Sequence, residues 1–336
     1  MADARSELLG DLLAEVSRSF YLTLRVLPRP IRPQIGLAYL LARTTDTIAD
    51  TELLPVEKRL AALESFRQSI ADRHLAAPDF GEFAAHQGSP AERRLLEKCS
   101  ASLKLLDGFR ADDRERIQQV LDIITSGQEL DLRRFANATA QQVAALANDN
   151  ELDDYTYRVA GCVGEFWTRM CRAHLFPQTA MDDSWLLLNG VRFGKGLQLV
   201  NILRDLPADL RNGRCYLPAS AIASAGLKPP DLLDPRNEDH LRPVYNGYLD
   251  LAEGHLRAGW VYTNMLPRRF VRVRLACAWP ILIGIETLKL LHAGRVLDGS
   301  HRIKVSRQKL RHLLLRSVFL YPFPQSWQRL CQLSEP

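Results

Sequence analysis

Residues 194–218 read GKGLQLVNILRDLPADLRNGRCYLP, and the fold predicted below depends most on this stretch. On a helix, polar side chains spaced three or four residues apart form one stripe, and here they are Gln198, Asn201, Asp205 and Asp209. The opposite face is apolar and consists of Leu199, Val200, Ile202 and Leu203. Amides and carboxylates in so apolar a helix are costly to bury without a ligand, so the stripe indicates a binding site.

Positive charge and a proline accompany the second half of this stretch. Arg204, Arg211 and Arg214 supply guanidinium groups that suit phosphate oxygens. Pro207 removes one backbone donor and is able to kink the helix, which would displace Asp209 from ideal spacing. The alternative interpretation is the solvated polar face of a surface helix.

A second aspartate pair with the same spacing lies upstream, in LLARTTDTIADT at residues 40–51. Asp46 and Asp50 project from one helix face, and Arg43 joins the same stripe. Two like charges on adjacent turns destabilise a helix unless a cation lies between them. Magnesium is typically held by one or two carboxylates together with substrate phosphate, so the pair predicts such a site. A solvated helix end with two surface aspartates is the alternative.

The two pairs together indicate more than either alone. Placed opposite each other across a helical bundle, they would hold divalent cations around one diphosphate. Neutralising that leaving group stabilises the charge that develops as an allylic C–O bond breaks. The interior of the bundle would then need apolar walls for prenyl chains.

Three long blocks carry a resemblance to a known family. They are SRSFYLTLRVLPRPIRPQIGLAYLLARTTDTIAD (17–50), YTYRVAGCVGEFW (155–167) and QLVNILRDLPADLRNGRCYLP (198–218). In content and order they resemble the signature blocks of the squalene and phytoene synthase family, and the likeness runs from about Ser17 to at least Arg274. The resemblance implies an all-α isoprenoid (terpenoid) synthase bundle with a central cavity and Mg²⁺, or Mn²⁺, as cofactor.

The resemblance also implies roles for individual residues. The metal-binding aspartates would be Asp46, Asp50, Asp205 and Asp209. Substrate-binding positions would be Ser17, Arg18, Ser19, Phe20, Arg43, Gln198, Asn201 and Arg204. Tyr155 would lie near the reacting carbons and would move a proton or face a carbocation, with the displaced diphosphate as a rival base. The sequence departs from many relatives at Ala49 and Ala208, where they have glutamate, so ion affinity is expected to differ.

The middle block contains small residues along one helical stripe, at Ala160, Gly161 and Gly164. Their missing side chains leave room either for a prenyl chain or for a close crossing with another helix. The sequence does not decide between these two interpretations.

Within the family, the resemblance favours a squalene synthase acting in sterol or hopanoid biosynthesis. Such an enzyme joins two farnesyl diphosphates through presqualene diphosphate and reduces the product with NADPH. The tail HRIKVSRQK (301–309) resembles a basic segment that helps cover the reductant site, which assigns Arg302, Lys304 and Arg307 to NADPH phosphates; a solvated basic face is the alternative. The other candidates are a non-reducing dehydrosqualene or phytoene synthase and a non-catalytic prenyl-lipid-binding or assembly factor.

The whole chain fits one all-α domain spanning 1–336, with a core at about 15–292 and a basic, amphipathic segment at 293–336. Helical periodicity recurs while strand patterns are scarce. The predicted helices are Leu8–Arg25, Pro33–Asp50, Pro55–His74, Ala91–Leu106, Asp112–Arg134, Asp153–Leu175, Ala180–Leu206, Glu238–Met265, Arg269–His292 and Lys304–Phe319. With 46% hydrophobic and 25% charged residues, the 336-residue chain can bury a large core.

Composition limits the possible ligands and the cellular compartment of the protein. The net charge of +5 fits anionic substrates, an acidic membrane or nucleic acid, although basic residues are spread out and no nucleic-acid-binding module is recognised. Six scattered cysteines argue against a zinc site or a disulfide framework. We expect a cytoplasmic protein without signal peptide or transmembrane helix. The stretch Lys309–Leu330 predicts either peripheral membrane contact or packing onto the domain.

Overall fold

The computed structural model describes residues 5–17, 21–72, 74–300 and 303–331. The α-helices, numbered here in chain order, are α1 Leu13–Ser17, α2 Tyr21–Val26, α3 Arg32–Ala49, α4 Val56–Ala71, α5 Gly81–Ala85, α6 Pro90–Glu97, α7 Cys99–Leu106, α8 Ala111–Arg134, α9 Asp149–Thr156, α10 Cys162–His174, α11 Asp183–Arg211, α12 Ala219–Ser224, α13 Glu238–Met265, α14 Val271–Ala293, α15 Arg307–Leu320 and α16 Pro324–Gln328. Within these ranges the other helical turns are two π-helical ones, Glu7–Leu12 and Tyr157–Gly161, and two 3₁₀ ones, Pro229–Leu233 and Pro235–Asn237.

The predicted all-α class is confirmed. The only strands within the described ranges are β1 (Ala144–Ala145) and β2 (Arg214–Cys215), which pair in parallel with Ala144 opposite Arg214. Gly213 leads the chain from α11 into β2 with a φ of +76°, and a methyl group there would lie 2.3 Å from the backbone nitrogen of Thr139. Only glycine fits that turn without strain.

Helix ends differ from the predicted ones where a capping side chain or a local turn intervenes. The helix predicted from Ala180 begins at Asp183, because the Asp182 carboxylate caps it by accepting from the Trp185 backbone N–H at 2.9 Å. The same helix continues past Pro207 to Arg211. The segment predicted as one helix from Asp153 is divided by the π-helical turn at Tyr157–Gly161.

The chain forms two compact units. Unit 1 contains the described residues of Met1–Ala136 and Phe166–Ala180. In it, α3 packs against α8, α4 and α7, and its apolar face is fully buried at Leu37, Leu40 and Leu41. This burial of leucines holds α3, and with it the first aspartate pair, in place.

Unit 2 contains the described residues of Asn137–Glu165 and Met181–Pro336. Its centre is α11, which packs along α13 and also against α14. The face predicted to be apolar is buried: Leu199, Val200, Ile202 and Leu203 are each at most 5% exposed. The organisation of the whole chain as one domain stays a prediction.

Helix α14 is long and apolar enough to cross a membrane by length and composition alone, and 61% of its most apolar stretch is buried inside the protein. The core helix of a folded domain meets the same criterion, so the feature is weak evidence for a membrane span. The six cysteines, all of them described residues, are buried and form no disulfide.

Candidate active site

The first aspartate pair lies at the C-terminal end of α3, in unit 1. Asp46 is in its last turn, and Asp50 follows Ala49 and donates its backbone N–H to the Asp46 carbonyl at 2.8 Å. Arg43 Nη1 lies 3.7 Å from Asp46 Oδ2, and Arg43 Nη2 donates to Glu92 at 2.5 Å. The arginine is therefore shared between the pair and a second carboxylate.

Asp46 has an unusual protonation equilibrium. Although 46% of its side chain is open to solvent, the surrounding protein atoms withdraw water from the carboxylate and raise its pKa to about 6. The neighbouring Asp50 charge adds to the rise, while Arg43 and Gln128 act against it. The ionised form of this half-exposed carboxylate is therefore disfavoured, and a nearby cation would favour it.

Gln128 of α8 completes the surroundings of Asp46. Its Nε2 donates to Asp46 Oδ1 at 2.5 Å, while its Oε1 is buried and accepts no hydrogen bond from any described residue. A buried amide oxygen without a donor is costly, and a cation or its bound water would satisfy it. Two carboxylates and an amide oxygen are hard oxygen donors of the kind that Mg²⁺ prefers, so the residues fit that ion.

The second aspartate pair lies in unit 2, near the end of α11. Asp205 and Asp209 line a cavity of about 310 Å³ together with Arg204 and Arg211. The opposite wall comes from the segment after α14, including Arg295, Val296, Asp298, Gly299 and Ile303. Arg204 forms a two-point ion pair with Asp205, with Nε at 3.0 Å from Oδ1. The cavity thus combines oxygen ligands with guanidinium groups, the donor set that a metal-bound diphosphate requires.

The helix reaches Asp209 in spite of Pro207 because the freed carbonyl finds another donor. Proline at 207 removes the N–H that would bond the carbonyl of Leu203, four residues earlier. The fully buried Tyr245 of α13 donates its hydroxyl to that carbonyl at 2.9 Å. Burial raises the pKa of Tyr245, so the hydroxyl stays protonated and keeps donating.

The opposite wall of the cavity is fixed by the start of α13. The buried Glu238 carboxylate accepts the backbone N–H of Val296 at 3.0 Å and that of Leu297 at 2.8 Å. Arg242 pairs with Glu238 and donates to the Leu291 carbonyl at 3.0 Å. These charge-assisted bonds hold the segment after α14 against the second aspartate pair.

Of the predicted polar stripe on α11, the cavity brings together Arg204, Asp205 and Asp209. Gln198 and Asn201 lie earlier on the helix and outside the lining of this cavity. Both are accessible to solvent, Asn201 more than Gln198, so the stripe is not buried.

The small residues of the middle block serve a close helix crossing. A methyl group at Gly164 would lie 1.9 Å from the Gly190 carbonyl oxygen, and one at Gly194 would lie 2.1 Å from that of Ala160. The backbones of these helices touch, so the space that the side chains leave is filled by α11. Of the two interpretations left open by the sequence, the structure supports the close crossing at these two glycines.

Tyr155 is half-buried in α9 and stacks on Tyr216, with ring centroids 4.8 Å apart. The stacking fixes the plane of the Tyr155 ring. Tyr216 belongs to the third signature block but was not singled out from the sequence.

The N-terminal block and the basic tail are only partly described. Arg18, Ser19, Phe20 and Arg302 lie outside the described residues. Ser17 is buried, and its hydroxyl donates to the Leu13 carbonyl. Lys304 and Arg307 are exposed and lie outside the lining of the cavity at Asp205, which ends at Ile303.

Sequence reasoning missed Gln128 as a partner of Asp46 and Glu238 as a support of the cavity wall. A signal for Gln128 exists, because it continues the buried stripe of α8 through Ile117, Leu121 and Ile124. A polar residue in such a stripe indicates a buried polar contact. In the described part of the chain, no three or more His, Cys, Asp or Glu side chains group to hold a metal ion. Each aspartate pair would therefore leave coordination positions for water and phosphate.

Comparison with known proteins begins with families. The sequence model described as squalene/phytoene synthase matches residues 13–309. The presqualene diphosphate synthase of Rhodopseudomonas palustris is 31% identical over 254 residues, covering 76% of this chain and 77% of that protein. The bifunctional lycopene cyclase/phytoene synthase of Blakeslea trispora is 30% identical over 217 residues, covering 62% of this chain and 32% of that protein. The squalene synthase of Schizosaccharomyces pombe is 25% identical over 320 residues, covering 92% of this chain and 64% of that protein.

Solved structures share the fold. The complex of TcSQS with the ligand BPH1237 has a TM-score of 0.80 at 20% identity, covering 99% of this chain and 90% of that one. The squalene synthase HpnC from Alicyclobacillus acidocaldarius has a TM-score of 0.63 at 19% identity, covering 87% of this chain and 95% of that one. At such identities the likeness concerns architecture, and it confirms the helical synthase fold predicted from the sequence.

Proposed function

Because the chain belongs to the squalene/phytoene synthase family, a family of prenyltransferase-type enzymes, we propose that it is a squalene synthase. The reaction is the head-to-head condensation of two farnesyl diphosphates through presqualene diphosphate, followed by reduction with NADPH. The observation that carries the proposal is the cavity in which Arg204, Asp205, Asp209 and Arg211 converge. The pair Asp46 and Asp50 is assigned to the same diphosphate chemistry.

The proposed chemistry follows from charge. Bound Mg²⁺ would supply positive charge to the departing diphosphate. Asp46 and Asp50 in one unit and Asp205 and Asp209 in the other would hold the ions. Arg204 and Arg43 would pair with phosphate oxygens once the ions neutralise the carboxylates that they contact now. The Tyr155 ring, held by Tyr216, would face the carbocation.

A second candidate is an enzyme that stops at presqualene diphosphate. The presqualene diphosphate synthase of Rhodopseudomonas palustris, at 31% identity, supports it. The exposed Lys304 and Arg307, proposed for NADPH phosphates, lie outside the lining of the Asp205 cavity, which also suits a non-reducing reaction. Dehydrosqualene or phytoene as product stays an alternative within the same family. A non-catalytic prenyl-lipid-binding factor would not need four carboxylates, all of which this chain retains.

One incubation series separates these functions. Purified protein is incubated with Mg²⁺ and farnesyl or geranylgeranyl diphosphate, with and without NADPH, and the products are identified by mass spectrometry. Squalene formed only with NADPH supports the proposal, whereas presqualene diphosphate accumulating in both conditions supports the second candidate. Asp205→Asn should lower turnover at least about a thousandfold, because it removes an ion ligand and a partner of Arg204. Asp239→Asn, an exposed carboxylate on α13, is the matched control.

A further inference from the structure

Large apolar side chains are exposed together on the C-terminal helices of unit 2. Leu315, Val318 and Phe319 on α15 and Phe323 just before α16 form this apolar ridge. Leu315 and Phe319 are 71% and 75% exposed, and the Phe319 and Phe323 ring centroids lie 6.5 Å apart. Single exposed hydrophobic residues are ordinary, but four within nine residues on one face call for a partner.

The ridge is held firmly because the other side of the same helices is anchored. Ser317 is fully buried, and the Trp279 indole N–H donates to its hydroxyl at 3.0 Å. Trp327 is buried, stacks on Trp260 at 5.1 Å and donates to Asn264 Oδ1 at 2.8 Å. Packing onto the domain, one of the two alternatives predicted for Lys309–Leu330, therefore holds for one face of these helices, while the ridge points outward.

An arginine-rich loop borders the ridge. The Tyr321 hydroxyl donates to the Arg268 carbonyl at 2.6 Å, and Arg268 Nη2 donates to the Pro322 carbonyl at 3.2 Å. Arg268 and Arg269 in this loop, and Arg272 in the first turn of α14, are exposed. On α15 itself, Arg311 lies one turn before Leu315 and is also exposed. The apolar ridge thus has guanidinium groups along its border.

Basic residues predominate in the stretches of sequence that contain the ridge and its border. Residues 254–285 and 303–331 contain eleven lysines and arginines and not one aspartate or glutamate. The remaining 33 basic residues are outnumbered by the 39 acidic ones. Carboxylates from outside these stretches pair with Lys309, through Glu286 at 3.2 Å, and with Arg257, through Glu253 at 2.7 Å. The arginines bordering the ridge therefore add positive charge to a surface that suits an anionic partner.

We propose that the apolar ridge docks this protein on a bilayer that contains anionic lipids. Leu315, Phe319 and Phe323 would enter the boundary between headgroups and acyl chains, while Arg268, Arg269 and Arg272 contact lipid phosphates. A nucleic acid would satisfy the arginines but leave the apolar side chains in water. The inference rests on this surface alone and not on the proposed reaction.

Vesicle binding tests the proposal. The full chain is sedimented with vesicles of phosphatidylcholine alone or of phosphatidylcholine mixed with phosphatidylglycerol. We expect binding to the anionic vesicles that weakens as salt is added. Phe319→Ser should lower the partition coefficient about tenfold or more, and Arg268→Gln about fivefold. Leu53→Ser is the matched control, because Leu53 is 75% exposed but lies in unit 1, and its binding should equal that of the wild type.

A second readout reports on the site of contact even if Phe319→Ser folds poorly. All six native cysteines are buried, so the thiol of a Phe319→Cys variant can be labelled selectively with a polarity-sensitive fluorophore. Its emission should shift to the blue on anionic vesicles, whereas the label in Leu53→Cys should not respond. The proposal is overturned if the wild type does not bind, if the label at 319 stays in water, or if an RNA duplex alone produces the shift.

Discussion

At the scale of single residues, the side chains around Asp46 determine the chemistry of the first aspartate pair. Desolvation by the surrounding protein atoms and the Asp50 charge raise the pKa of Asp46 to about 6, and Gln128 brings a buried oxygen without a donor among the described residues. Both features oppose the metal-free, ionised state, and a bound cation would relieve both. The pair therefore favours binding of a cation, at a cost to the stability of the metal-free protein.

The pH dependence of stability tests this interpretation. The pKa of Asp46 rises from about 3.9 in the unfolded chain to about 6 on folding. The folded wild type therefore loses stability as pH rises from about 4 to about 6, since the unfolded chain releases this proton first. With EDTA at neutral pH, Asp46→Asn should be more stable than the wild type by less than about 1 kcal/mol, because solvent screens the partly exposed charge.

Urea unfolding at several pH values measures this difference. Added Mg²⁺ should reverse the order, because the ion stabilises the wild type but loses a ligand in the variant. Asp112→Asn, an exposed carboxylate on α8, should leave both comparisons unchanged. Equal stability of wild type and Asp46→Asn at neutral pH in EDTA would contradict the assigned pKa.

At the scale of elements, the crossing of α11 with the middle block depends on glycine. Gly164→Ala should destabilise the protein by about 3 kcal/mol or prevent folding, because its methyl group would overlap the Gly190 carbonyl. Gly247→Ala on α13 is the matched control, since a methyl there meets no described atom within 4 Å. That variant should be neutral or slightly more stable, as alanine favours a helix. Chemical unfolding compares the two, and equal effects would argue against a backbone contact at Gly164.

An element is predictable from the sequence when the residues that determine it lie close together along the chain. The apolar face of α11 and the spacing of Asp205 and Asp209 follow from side chains a few positions apart, so the sequence predicts them. The contact between Gln128 and Asp46 joins residues 82 positions apart, and nothing in either segment specifies the partner. The continuation of α11 beyond Pro207 depends likewise on Tyr245, which no local rule links to it. The start of α11 at Asp183 was mispredicted because the cap at Asp182 was not recognised.

At the scale of the whole molecule, the proposed reaction requires the two aspartate pairs to act on one diphosphate. Pyrophosphate with Mg²⁺ should raise the melting temperature of the wild type. If both pairs hold ions around the same anion, Asp46→Asn and Asp205→Asn should each remove most of this rise, and the double variant should lose little more. Calorimetry with the two single variants and the double variant checks the coupling. Additive losses would mean that the pairs bind independently.

The charge distribution also belongs to this scale. A net charge of +5 suggests a mildly basic protein, yet eleven of the 44 basic residues lie in two stretches of unit 2 that lack carboxylates, while the rest of the chain is net acidic. The sequence reveals the two stretches separately. The structure shows that Tyr321 and Arg268 join them at one surface.

The hydrogen bond from Tyr245 to the Leu203 carbonyl makes the residues at positions 207 and 245 depend on each other during evolution. A descendant that replaced Pro207 with alanine would regain an N–H for that carbonyl, and the buried hydroxyl would then compete with it. A descendant with phenylalanine at 245 would strand the carbonyl at a loss of about 1 kcal/mol. The double substitution Pro207→Ala with Tyr245→Phe should therefore destabilise the protein less than Tyr245→Phe alone. The residues at positions 207 and 245 should accordingly change together among related sequences.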